Sequence, residues 1–327
     1  MISVVPESSH QDSVGTFGRT MRDATYALDA IYGVDARDNY TQAQTGKTPA
    51  TGKTYASSLA KKDALKGAVF GLPWLSFWQY NDPAQNAQLV ELLDLIKGAG
   101  ATIINGTELP NYETIVSPTG WNWDLGTSRG FPNESEYTVV KVDFYNDIKK
   151  YLSELENTSI KSLEDIMKYN VDNLGSEGGL PGIHPAFGSG QDGFEASLAT
   201  RGIQDQTYFQ ALGFTQRQTR ELGIDAALQG KNGVKIDALL APPDFGPTYQ
   251  VAAQAGYPVV TVPAGVNAAS GMPFGLSLTG TAWSEATLIK YASAIEDLQL
   301  TTPSNKYKRS QPKWRGYLTR NIPVINA

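Results

Sequence analysis

Few residues in this chain have the chemistry of a nucleophile, a base or a ligand. It has two histidines, His10 and His184, and no cysteine. Thiol catalysis, disulfides and thiolate metal sites are therefore excluded. His184, Ser189 and Asp192 lie close together and supply the residue types of base-assisted nucleophilic attack. The serine sits in Gly188-Ser-Gly190, which is not the Gly-X-Ser-X-Gly elbow, and no strand-to-helix turn is predicted around it. A local triad and a glycine-rich structural loop both remain open readings. Two distant histidines without an acidic cluster argue against a metal site. No glycine-rich run ends in Gly-Lys-Ser/Thr, and Gly98-Ala-Gly100 closes a helix instead of opening one, so no nucleotide cofactor is expected.

The elements that must position these residues read as α/β. Thr20 with Asp23 forms a capping box, followed by a helical stripe of Ala24, Ala27, Leu28 and Ile31 that Gly33 ends. Residues 35–62 are polar and aperiodic, a surface loop. Gly67–Leu72 predicts a strand, Asp82-Pro83 the start of a helix to Lys97 with Gln85 placed to close the cap, and Ala101–Asn105 a second strand. Strand, helix, strand with short links predicts a parallel βαβ unit. Leu109–Glu136 is aromatic and punctuated by proline and glycine, either a lid or a long loop pinned by Trp121 and Trp123. Tyr137–Leu155 and Leu163–Asn173 are amphipathic helices, 175–193 is an irregular loop, and 204–229 is helical. Three strands follow, at Val234–Ala241, Val259–Val262 and within Gly271–Gly280. Ser284 then caps a helix with Leu288, Ala292, Ile295 and Leu298 on one face. Gly256 before Tyr257-Pro258 marks a backbone shape that other residues resist.

At 327 residues and 41% hydrophobic, the chain can bury a full core. Its net charge of −6, spread along the sequence, disfavours nucleic-acid binding. No run is apolar enough to span a bilayer, and Met1-Ile-Ser-Val-Val has no basic flank, so no signal peptide is expected and the chain as it stands reads as cytoplasmic. Four Asn-X-Ser/Thr sequons, at Asn39, Asn105, Asn133 and Asn157, leave the compartment open. Residues 301–327 carry Lys306, Lys308, Arg309, Lys313, Arg315 and Arg320 and no acid, a basic extension expected to lie across the acidic body formed by 1–300.

Ala241-Pro-Pro243, Gly256-Tyr-Pro-Val-Val-Thr-Val-Pro-Ala-Gly265, Met272-Pro-Phe-Gly-Leu276 and Ser284-Glu-Ala-Thr-Leu288 follow one another in a recognisable order. Ile2-Ser-Val-Val-Pro6 and His10–Ala24 extend the pattern to the N-terminus, and Gly178–Asp192 extends it to the middle. Together they resemble the amidase signature family in its fungal branch. That resemblance implies a mixed β-sheet flanked by helices, incomplete at its N-terminal side, with residues 1–300 as the C-terminal part of the domain. It implies hydrolysis of a carboxamide C–N bond through an acyl-serine on a small-molecule amide, with no cofactor. It further implies that His184, Gln191 and Asp192 border the substrate channel.

In that family two serines and a lysine form the reaction centre, and the resemblance places all three ahead of Ile2. No Gly-Gly-Ser-Ser-Gly-Gly-Ser run occurs in the chain. The expectation is a chain that does not turn over amides alone, with an inert binding or assembly relative as the alternative. An uncovered sheet would also favour a homo-oligomer or a covering partner.

Overall fold

The computed structural model describes residues 4–50, 52–116, 124–184, 188–230, 233–244, 246–268, 271–303 and 307. Helix α1 spans Met21–Ile31, and its capping box is complete: Asp23 N donates to Thr20 Oγ1 at 3.1 Å and Thr20 N to Asp23 Oδ2 at 3.0 Å. Its buried residues are Met21 and Thr25, to one side of the expected stripe, of which Ala24, Ala27 and Leu28 are half-buried and Ile31 is exposed. Met21 joins the main core cluster, and its backbone N–H donates to both carboxylate oxygens of Glu296.

Strand β1 (Val69–Leu72), helix α2 (Pro83–Gly98) and strand β2 (Thr102–Asn105) form the expected parallel unit. Asp82 caps α2 by accepting from Ala84 N and Gln85 N. Helices α3 (Glu136–Glu154), α4 (Leu163–Asp172) and α5 (Asp192–Thr200) pack together, with Phe144 of α3 stacked on Phe194 of α5 at 5.5 Å. Helix α6 (Gln206–Thr219) runs into a π-turn at Arg220–Ile224 and one further α-turn, so the predicted helix exists with one wide turn inside it.

Strand β3 (Ala238–Ala241), helix α7 (Gly246–Ala255), strands β4 (Val259–Val266) and β5 (Pro273–Thr279) and helix α8 (Glu285–Thr301) complete the described chain. The five strands lie in the order β2-β1-β3-β5-β4. β1 pairs in parallel with β2 and β3, while β5 pairs antiparallel with β3 and β4. This is the mixed α/β sheet that the family resemblance implies.

One face of the sheet packs on α2 and α8 through Phe70, Leu240, Leu276, Leu278, Leu89 and Ile295. The other packs on α7 and the residues after α6 through Leu239, Val251, Ile224 and Leu228. β4 runs on to Val266, four residues past the expected strand, and two further details differ from the sequence reading. β3 begins only at Ala238, because Asp237 Oδ2 accepts from Val69 N and ends the preceding turn. The Ser284 hydroxyl donates to Thr281 O and does not cap α8. Gly256 does take the left-handed backbone expected of it, with φ at +66°. Trp121, Trp123 and the basic residues after 303 lie outside the described residues.

Candidate functional site

Among the sequence candidates, Gln191 is the best defined. It is 9% exposed, and its amide lies across α4: Oε1 accepts from Asn170 Nδ2 at 2.9 Å and Nε2 donates to Met167 O at 3.2 Å. The neighbouring Asp192 folds back on its own turn, accepting from Ser189 Oγ at 3.0 Å and from Gly193 N at 2.9 Å. Ser189 therefore donates straight to the carboxylate, without an imidazole between them, which is not the wiring of a Ser-His-Asp triad. His184 lies across the loop, half-buried against Gly178, where a Cβ on the glycine would collide with the His184 Cβ. Gly182 N donates to Gly188 O at 2.8 Å and closes the loop. His184, Gln191 and Asp192 thus share one compact loop, of which Gln191 is spent on holding α5 to α4.

That loop sits beside the start of α3, where a second group of polar residues gathers. Burial raises the Tyr137 hydroxyl above its usual pKa, and the nearby charges of Asp192 and Asp124 add to the effect. Ser135 Oγ donates to Asp124 Oδ1 at 2.9 Å. One residue on, Glu136 is buried and accepts from the Gln250 amide. Burial pushes its carboxyl upward, and hydrogen bonds from the Gln250, Gln254 and Gln11 amides pull the other way. A cavity of about 20 Å³ opens here, lined by Thr114, Gly126, Glu136, Thr215, Gln250 and Gln254. It has room for about one water molecule. The Thr215 hydroxyl is already engaged, donating to Ala211 O at 3.0 Å. These groups can bind and orient a small polar molecule, and none of them is the base-activated hydroxyl that attack on an amide requires.

Sequence reasoning missed a third cluster. Asp143 of α3 is buried; its Oδ2 accepts from Ser8 Oγ at 2.6 Å and lies 2.7 Å from His10 Nδ1, while its Oδ1 accepts from Tyr208 OH at 2.7 Å. A serine, a histidine and an aspartate do meet here, but both of the others point at the carboxylate, so the serine has no base. The available signal was an aspartate between Val139, Val142 and Ile148 on the buried face of an amphipathic helix. Among the described residues, no three His, Asp or Glu side chains converge as metal ligands would, and no helix is long and apolar enough to cross a membrane.

The chain is 48% identical over 326 residues to a protein named as an amidase in Schizosaccharomyces pombe, a match covering 98% of this chain and 54% of that protein. A protein named as an amidase in Arabidopsis thaliana matches at 29% over 307 residues, 93% of this chain and 52% of the relative. Among solved structures, native peptide amidase from Stenotrophomonas maltophilia superposes with a TM-score of 0.72 at 29% identity, covering 94% of this chain and 57% of that one. The chain belongs to the amidase signature family. No family-wide sequence model matches it. This amidase relative spans about half the length of the curated proteins it matches.

Proposed function

We propose that this stretch of an amidase signature protein supplies sheet, helical cover and part of the substrate wall, and that the acyl-serine chemistry requires a second stretch carrying the serine pair and the lysine. In the whole protein the serine would attack the carboxamide carbonyl, the amine or ammonia would leave, and water would release the acid from the acyl-serine. The observation that carries this reading is the match over about half of each relative's length, at 54% and 52%, joined to a candidate loop whose serine donates directly to Asp192. His184, Gln191 and Asp192 would border the channel, with Gln191 as the brace that sets the loop on α4.

A small-molecule amide is the substrate class. Its partner would be the polypeptide equivalent to the unmatched part of the relatives, seated along β4, the longer of the two outer strands of the described sheet. The test is release of ammonia or amine from aliphatic and aromatic amides by residues 1–327. No turnover above a heat-killed control is expected alone, and turnover is expected on mixing with the complementary polypeptide. Activity of 1–327 alone that disappears in Ser189→Ala would overturn the proposal.

A further inference from the structure

Residues 4–12 form no helix or strand, yet their polar groups are firmly placed. Glu7 N and Ser8 N donate to Asp12 Oδ2 at 2.8 and 3.1 Å, and Gln11 N and Asp12 N donate to Ser8 O. This small knot is fixed to the body by its contacts with α3: Ser8 Oγ and His10 Nδ1 on Asp143, and Ser9 N donating to Asp147 Oδ2 at 2.7 Å. The apolar side chains around it contribute little, since Val4, Val5, Val14 and Phe17 are all exposed. Polar contacts, not hydrophobic burial, hold the segment down.

We infer that residues 4–12 are a strap clasped to α3 by the His10–Asp143 pair, and that loss of the His10 proton releases it. The groups around His10 from each packed element are acidic or neutral. They are Asp143 and Asp147 of α3, Tyr208 of α6, Tyr40 of the turn Asn39–Gln44, and Glu7 and Asp12 of the strap itself. A protonated imidazole neutralises the buried Asp143 through a charge-assisted bond; a neutral one keeps at most an ordinary hydrogen bond and leaves the buried Asp143 and the half-buried Asp147, one turn on, without a countercharge. The hydrogen bond to Asp143 raises the His10 pKa above 6.5, outweighing burial, which lowers it. The contribution of the charged pair is therefore complete below that value and is lost as pH climbs through the higher, folded one, leaving the strap on the hydrogen bonds of its neutral donors alone. Release would also free Gln11, whose amide bonds Glu136.

Amide hydrogen exchange at Glu7, Ser8, Ser9, Gln11 and Asp12 tests this, corrected for intrinsic rates between about pH 6 and about pH 9. Protection of these amides should fall several-fold at the alkaline end while the amides of β3 stay protected. In His10→Gln, which keeps a polar side chain but carries no charge, protection should be low and level across the range. A wild-type profile that stays level, or a His10→Gln profile matching the wild type, overturns the inference. Should the variant not fold, the ring-proton titration of His10 in the wild type must share its midpoint with the loss of protection. Separate midpoints overturn the inference equally.

Discussion

Glu285, in the first turn of α8, shows how one side chain sets a pH dependence. Its Oε2 is buried without a hydrogen-bond partner, and burial raises the carboxyl above its ordinary value of 4.5. A carboxyl whose folded pKa is raised binds its proton more tightly in the folded state. Its cost is absent below the unfolded value and grows as pH rises through the folded one. Glu285→Gln should therefore raise the melting temperature by a few degrees at neutral pH, and the two proteins should converge near pH 4. A difference of the same size at both pH values would place its origin outside this carboxyl. At the same scale, the candidate loop was only half legible. The residue types at His184, Ser189 and Asp192 were in plain sight, but not the hydrogen bond from Ser189 to Asp192 that removes the triad. Bond directions depend on backbone torsions that residue types leave open.

At the scale of elements, Trp78 ties the turn before α2 to the centre of the sheet. It is fully buried, stacked on Trp74 at 5.9 Å, and its Nε1 donates to Leu240 O on β3 at 2.9 Å. Trp78→Phe leaves that carbonyl unsatisfied and part of the indole volume empty, which should cost about 2–4 kcal/mol. Trp74→Phe, at a half-buried ring with no such bond, should cost about 1 kcal/mol or less. Chemical denaturation of both variants checks the ranking, and equal losses would mean the indole bond contributes nothing. A second element-level constraint is Gly256, which ends α7 in the left-handed region while Arg220 Nε donates to Ala255 O at 2.7 Å. Gly256→Val should lose about 1–2 kcal/mol from its backbone alone, read as a lower denaturation midpoint.

At the scale of the molecule, the described sheet ends on its longest strand. β4 runs Val259–Val266 at the edge of the order β2-β1-β3-β5-β4, with Thr261, Pro263 and Val266 exposed. Met272 is also exposed, at 64%. An edge with unpaired N–H and C=O groups is a template for another strand, and the register irregularity at Pro263/Gly265 interrupts only part of it. Residues 1–327 alone should therefore associate in a concentration-dependent way and bind an apolar dye. Light scattering decides it: a monodisperse species at 35.3 kDa that melts cooperatively without excess dye binding would show that the chain closes its own core.

What the sequence determined by itself was what depends on neighbours along the chain. The βαβ unit, the Thr20 and Asp82 caps, the turn at Gly256 and the family pattern through Gly256–Gly265 all rest on short-range geometry, and all are present. Tertiary structure alone decided which face of α1 is buried, because the core that Met21 joins is built from residues far along the chain, Leu288, Ala292 and Ile295 among them. It decided that β5 is covered on both sides, so that Ser277 is buried and donates to Ala241 O although Leu276 and Leu278 alternate with polar residues. And it brought Ser8, His10, Asp143 and Tyr208 onto one carboxylate. Buried polar groups need partners wherever the fold can supply them, and a linear sequence records the need without naming the partner.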